Sequence, residues 1–326
     1  SEMDRAVSLF QNNSWQSVRI LETNFPVKHS VNDSDGNLYA VLAAPESLSG
    51  RSNLTITVVY EITSVGNKGP ELRRDSAQNL SKIPLSLVSE YCVSSGTWLV
   101  DDPRIRAKAG EIAGNETRVL MIVESLIRWI KGNIAYNTTE IARYPNETLL
   151  ERRGDCDDQA ILFVTMCRIL RIPAYLQIGC ILKEELKADT SVWNNHVRIN
   201  TEGVGWHGWA VVYVPPWGWL PVDFTYVTAS SGLVPEIEHA SVYEDYVILQ
   251  QNVSKQDYVG EARDSRREVI DSSLYITFRE RMVKLPTPTP SLLWIVVVPI
   301  VGGVFLILVF FLVRRRTLIR SESLYP

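Results

Sequence analysis

The stretch from Ala160 to Leu170, Ala-Ile-Leu-Phe-Val-Thr-Met-Cys-Arg-Ile-Leu, constrains this chain more than any other. Nearly every side chain in it is apolar, so a helix here must be buried on most of its sides, and the body has to wrap around it. Gly154 and Asp155 supply the turn that starts the helix, which places Cys156 in its first turn. Unpaired N–H groups at a helix N-terminus favour a thiolate over a thiol, whereas Asp155, Asp157 and Asp158 push the thiol pKa the other way. A nucleophile at this position therefore needs a cationic partner.

About fifty residues further on, Gly205 to Thr225 reads as two strands joined by a proline-containing turn. If the chain reverses at Val214-Pro215-Pro216, then Tyr213 faces Trp217, Val211 faces Trp219, Trp209 faces Pro221 and His207 faces Asp223. That register sets a carboxylate beside an imidazole. Asp223 can hold His207 in one tautomer and stabilise the imidazolium, while the other ring nitrogen takes the proton of the Cys156 thiol. The residue types point to a Cys-His-Asp nucleophilic site.

Four blocks, Gly154-Asp155-Cys156-x-Asp158-x-Ala160, Arg168-x-x-x-Ile172-Pro173-Ala174, His207-x-Trp209 and Gly218-Trp219-x-x-x-Asp223-x-Thr225, resemble the transglutaminase-like superfamily in order and spacing. The resemblance covers roughly residues 95 to 235. It implies a papain-like fold with Cys156 as nucleophile, His207 as base and Asp223 as its orienter. Two positions depart from the family pattern: Val211 stands where an acidic residue is usual, and Phe224 replaces the proline of Asp-Pro-Thr.

A chain of 326 residues, 45% hydrophobic and 21% charged, can bury a substantial core and has room for two domains. Its net charge is −4, and four arginines against one glutamate in the last thirteen residues leave −7 on the rest, which argues against a nucleic-acid partner. Residues 292–313 carry no charge over 22 positions. A bilayer needs about 20 such residues, so this run is expected to be a transmembrane helix. Arg314, Arg315 and Arg316 follow at once and mark the cytoplasmic side, which puts residues 1–285 outside. Eight Asn-x-Ser/Thr triplets, at Asn12, Asn32, Asn53, Asn79, Asn115, Asn137, Asn146 and Asn252, are glycosylation acceptors and agree with that orientation. The chain opens Ser-Glu-Met-Asp without an apolar run, as expected if a signal peptide has been removed. Cys92, Cys156, Cys167 and Cys180 form no dense framework; Cys167 and Cys180 read as core residues, and a Cys92–Cys180 bridge is the pairing considered.

The expected fold class is α+β: an N-terminal β-sandwich, then the transglutaminase-like, papain-like domain, then the transmembrane helix. Residues 1–90 form the β-rich part, with strands at Trp15 to Leu21, Asn37 to Ala43 and Asn53 to Thr63. Residues 91–285 form the transglutaminase-like domain with a C-terminal extension, 286–291 a Pro/Thr spacer, 292–313 the span and 314–326 a cytoplasmic tail. Val119, Ile122, Val123, Leu126, Ile127 and Ile130 predict an amphipathic helix over residues 116–132, capped by Asn115 or Thr117 and stopped at Gly132. Trp129 and Tyr136 read as core or cleft wall. Gln256 to Val269 reads as helix and Ser273 to Phe278 as strand.

His196 and His239 read as surface residues, and His29 stands in no recognisable context. The run Asp155, Asp157, Asp158 lacks the spacing of a calcium loop, the cysteines lack a zinc pairing, and no phosphate loop follows a strand, so no metal or cofactor is expected. The function expected is a cell-surface cysteine enzyme acting on peptide or glutamine amides through a thioester, hydrolysis favoured over cross-linking. Its partners would be protein or peptide substrates and, through the C-terminal helix, the membrane. The alternative is a non-catalytic surface adhesion or scaffold protein that keeps the fold.

Overall fold

Apolar alternation makes the first part of the chain a set of short strands: β1 (Ala6–Ser8), β2 (Gln16–Thr23), β3 (Val27–Asn32), β4 (Leu38–Leu42) and β5 (Val58–Ser64). The computed structural model describes residues 6–45 and 53–285. Strands β1, β4 and β3 form one antiparallel sheet, while β2 pairs with β5. Leu9, Ala40 and Leu42 are buried between them, with Ile20 and Tyr60 packed on that cluster. The strand read from Asn53 starts only at Val58, and β3 has no counterpart in the sequence reading. Asp33 makes the β3–β4 turn by accepting the N–H groups of Asp35 and Asn37, with Gly36 at φ 82°.

The helical layer follows: α1 (Leu85–Tyr91), α2 (Pro103–Ala113), α3 (Val119–Asn133), the short β6 (Ala135–Tyr136), α4 (Pro145–Glu151), β7 (Arg153–Gly154) and α5 (Cys156–Ile169). Helix α3 is the amphipathic helix of the sequence pattern, but its start is shifted. Glu116 takes the N–H groups of Thr117 and Arg118 at 2.9 Å, so neither Asn115 nor Thr117 serves as the cap. Helix α5 is buried from Asp158 to Arg168. Helices α2, α3 and α4 touch it. Burying one large apolar side chain is worth roughly 1.5–3 kcal/mol, and Ile161, Leu162, Phe163 and Met166 are all fully covered. The N-terminus of α5 is therefore held by the core and not by local helix propensity.

The other wall of α5 is a sheet built from β8 (Ala174–Val192), β9 (Val197–Val214) and β10 (Gly218–Val222), followed after α6 (Pro235–Glu238) by β11 (Val247–Val253) and, after α7 (Tyr258–Asp271), by β12 (Ile276–Arg281). The order is β10-β9-β8-β11, with β12 running parallel beside β9. Ala174, Leu176, Ala210 and Val212 join the core around α5, whereas Ile181, Trp209, Val211 and Leu249 form a second cluster. Along β11, side-chain amides act as a neighbouring strand would. Gln16 exchanges two hydrogen bonds of 2.8 Å with the Leu249 backbone, and Asn37 exchanges two of 2.7 Å with the Asn252 backbone. These tie the N-terminal strands to the sheet.

Strands β8 and β9 extend beyond β10 and β11 as an arm, Lys187 to Val192 against Val197 to Glu202, with β12 pairing β9 over that length. At its tip Trp193, Asn194 and Asn195 have positive φ. Trp193 is held there by its Nε1 donating to Glu140 O at 2.9 Å.

The β9–β10 register differs from the sequence reading. Trp219 lies opposite Tyr213 and Pro221 opposite Val211, two residues away from the expected pairs, because the three-residue turn sits one residue later, at Pro215, Pro216 and Trp217, and closes at Gly218 with φ 84°. A slip of two leaves every side chain on its expected face, since the strand period is two.

All four cysteines are free, so the Cys92–Cys180 pairing is not formed. Among the described residues no helix is long and apolar enough to cross a membrane. The spacer 286–291, the run 292–313 and the tail 314–326 lie outside the described residues. Residues up to Met282 form one compact unit.

Candidate active site

Three elements meet at the start of α5. Cys156 is its first residue, preceded by Asp155 in extended conformation, whose N–H donates to Asp158 Oδ2 at 3.4 Å. The backbone N–H groups of Gly208 and Asp157 are oriented to favour the Cys156 thiolate. Gly208 belongs to β9 and follows His207, so the strand carrying the imidazole packs beside the start of α5. Glycine is required at 208: a Cβ there would lie 2.9 Å from Asp157 Cβ and 3.0 Å from Ile178 Cδ1.

His207 is buried, and its Nε2 lies 2.9 Å from Asp223 Oδ2. A carboxylate only accepts, so Nε2 carries a proton, and in a neutral ring Nδ1 then holds the lone pair. Nδ1 is buried and has no hydrogen-bond partner. Asp223 is 1% exposed and is held by more than the imidazole. Its Oδ1 accepts the N–H of Thr225 at 3.0 Å and of Tyr226 at 2.9 Å, and Ser241 Oγ donates to Oδ2 at 2.8 Å. Burial alone would raise this carboxyl, but the His207 ring and the two N–H groups outweigh it and leave it below its ordinary value.

The thiol is pushed in the opposite direction. Burial raises the Cys156 pKa, Asp157 and Asp155 raise it further, and the N–H groups of Gly208 and Asp157 offset only part of that. At rest Cys156 is a thiol.

Asp157 and Asp158 are themselves raised, first by burial and then by Asp155. Asp155, Asp157 and Asp158 each offer an oxygen, and these atoms lie within 4.8 Å of one another, a donor set of the kind that suits a hard cation. Most of those oxygens are engaged within the protein: Tyr258 donates to Asp157 at 2.9 Å, Thr139 to Asp155 at 3.1 Å and Arg143 N to Asp158 at 2.7 Å.

Tyr136 and Tyr226 flank the site and are 57% and 49% exposed. The Tyr226 ring meets His207 edge-on at 5.0 Å. Partial burial, the Cys156 thiol and Asp155 raise the Tyr136 phenol to about 12, so it stays protonated. Trp129 lies outside this group, with the guanidinium of Arg152 4.9 Å from its ring.

The profile of the transglutaminase-like superfamily matches residues 106–224. The chain contains a transglutaminase-like domain. The match ends one residue after Asp223, so it takes in Cys156, His207 and Asp223. The comparison with curated proteins found no match. Among solved structures, the chain is similar to a candidate cysteine protease from Cytophaga hutchinsonii, with 15% identity over 77% of this chain and 75% of that one and a TM-score of 0.49. It is also similar to the periplasmic domain of TgpA from Pseudomonas aeruginosa, with 18% identity, coverage of 65% and 87% and a TM-score of 0.34. For Legionella pneumophila LapG the values are 16%, 60% and 96%, and 0.28.

The two departures within the transglutaminase-like domain have local causes. Val211 is 5% exposed inside the cluster of Ile181, Trp209 and Leu249, where a carboxylate would lose its hydration. Phe224 packs edge-on against Phe163 of α5 at 5.5 Å, which ties the residue beside Asp223 to the active-site helix. His196 and His239 are not part of the site. His196 stacks on Tyr275 at 4.6 Å, and His239 contacts Ser231.

Besides Tyr226, two residues that contact the site lie beyond the matched segment and were not legible in the sequence. Ser241 and Tyr258 sit in no local pattern, and only the return of the chain brings their hydroxyls to Asp223 and Asp157.

Proposed function

We propose that the chain is a cell-surface cysteine enzyme that cleaves peptide or glutamine amides through a thioester on Cys156. One observation carries this reading. The His207 ring is fixed by a buried carboxylate at Nε2, its Nδ1 is buried without a partner, and the next residue, Gly208, packs against Asp157 beside Cys156. An imidazole held in this way is a base in waiting.

In this mechanism the Cys156 S–H proton passes to His207 Nδ1 as sulfur attacks the carbonyl carbon. Asp223 stabilises the imidazolium. The oxyanion takes a hydrogen bond from the Cys156 N–H at the start of α5, where the helix dipole also favours negative charge. The tetrahedral intermediate collapses, the C–N bond breaks, and the leaving amine takes the proton from Nδ1. Water then attacks the thioester while His207 removes its proton; the acid departs and the thiol is restored. Water is the acceptor in this reading, and an amine in its place would give a cross-link.

Because the resting thiol lies above its ordinary pKa, attack and proton transfer are coupled, with no standing thiolate. The same fact is what favours a second reading, a surface adhesion or scaffold protein that keeps the fold without the chemistry. A thiol-reactive amide mimic discriminates between them. It labels wild type and spares Cys156→Ala; equal labelling of both, or of neither, rejects the enzyme.

The location rests on sequence: the uncharged run 292–313, the arginines behind it and the eight acceptor triplets before it. Neighbouring surface proteins or peptides are then the substrates within reach.

A further inference from the structure

We infer that Ser241 is a positioning residue for His207, acting through Asp223, and that the segment after the transglutaminase-like match therefore completes the site. The inference rests on the reading of His207 and Asp223 given above.

The geometry is specific. Ser241 Oγ donates to Asp223 Oδ2 at 2.8 Å, and the same oxygen lies 2.9 Å from His207 Nε2. Oδ1 is held by the Thr225 and Tyr226 N–H groups. Those two bonds come from the carboxylate's own turn and move with it. Ser241 is the partner of Oδ2 that comes from elsewhere in the chain, and it is fixed independently: it is 2% exposed, it begins the 3₁₀ turn Ser241–Tyr243, and its N–H donates to Tyr226 O at 3.0 Å. The chain between closes on itself through Thr228 N to His239 O at 2.9 Å and a bridge between Val227 and Ala240. Asp223 N donates to Glu236 O at 2.9 Å in the same segment. The carboxylate is thus clamped from its own turn on one oxygen and from the returning chain on the other.

Without the Ser241 bond Oδ2 has only the imidazole to fix it, and the carboxylate plane can turn about its last torsion. The Nε2–H tautomer then loses its anchor, and the lone pair at Nδ1, on which the thiol depends, is no longer enforced. The groups around this pair are Cys156 from α5, Tyr226 from the turn after β10 and Tyr136 from β6. None of them supplies a second donor to Oδ2.

The test compares wild type, Ser241→Ala, Ser241→Cys and Ser241→Thr. The full chain carries ¹⁵N-labelled histidine, and the probe of the thiol is iodoacetamide. In wild type the His207 nitrogens report one protonated and one bare site. Ser241→Ala averages them toward mixed tautomers and slows Cys156 alkylation by about tenfold, the loss expected when one charge-assisted hydrogen bond is removed. Ser241→Thr keeps the hydroxyl and restores both signals. Ser241→Cys, close in size and a poor donor, behaves like Ser241→Ala and replaces it should that variant fail to fold. A merely structural serine would change melting temperature and leave the tautomer signature unmoved, and that result overturns the inference. Failure of the function reading looks different: iodoacetamide would then show no preference for Cys156 in wild type, while the tautomer comparison still decides the role of Ser241.

Discussion

Replacing Asp223 by asparagine turns one acceptor oxygen into an N–H donor while keeping the shape. The amide can then face His207 Nε2 with a donor, which favours the wrong tautomer and puts a proton on the nitrogen meant to receive one. The expected result is an intact fold, seen by circular dichroism, with turnover lower by about three to four orders of magnitude. Loss of folding instead would make Asp223 structural. The same residue predicts a pH effect on stability. Its folded pKa is below the ordinary value of 3.8, so the stabilisation it gives is present above that value and is lost as pH falls from there through the folded pKa. Urea unfolding between pH 5 and pH 2, a range chosen to bracket the ordinary carboxylate pKa of about 3.9, should show a flatter acid slope for Asp223→Asn than for wild type.

At the scale of elements, α5 joins the core to the site. Its apolar run requires burial all round, and the helices on one side and the sheet on the other supply it. Phe163 shows how stability and geometry are linked there. It is fully buried and its ring meets Phe224, the neighbour of Asp223. Phe163→Ala is expected to cost about 3–5 kcal/mol in urea unfolding. Activity per folded molecule should fall as well, because the cavity lets Phe224 and Asp223 shift. A variant that loses stability yet keeps full activity per folded molecule would show that Phe224 does not help place Asp223.

For the whole molecule, the proposed topology and the folded surface together predict which acceptor triplets carry glycans. Asn12, Asn32, Asn53, Asn79, Asn115 and Asn137 are exposed. Asn146 is only partly exposed and its Oδ1 is buried, while Thr148 of its triplet is fully buried. Asn252 accepts a 2.8 Å hydrogen bond from Gln177 and pairs with Asn37 through its backbone. Glycan mapping of the exported protein should therefore find sugar at members of the exposed set and none at Asn146 or Asn252. Protease added to intact cells should cut within residues 1–285 and spare the last thirteen. Protection of the body with cleavage of the tail would reverse the orientation.

Periodicity and spacing alone determined the buried helix, Cys156 at its first turn, the strand carrying His207, the carboxylate at 223 and the face each of them occupies. These are local properties: an apolar run has to be covered, a glycine turn starts a helix, and a strand's period of two survives a register slip of two. The sequence did not reveal the displaced turn at Pro215–Trp217, the arm of β8 and β9, the amides of Gln16 and Asn37 that take the place of a neighbouring strand, or the hydroxyls of Ser241 and Tyr258. Each of these depends on a residue that folding brings near, 101 to 233 positions away for Tyr258 and the two amides and 18 for Ser241, or on how strands twist and turn once they are packed. A serine that bonds a carboxylate 18 residues earlier looks like any other serine until tertiary structure brings the chain back, because hydrogen bonds are short-ranged and leave no period in the sequence.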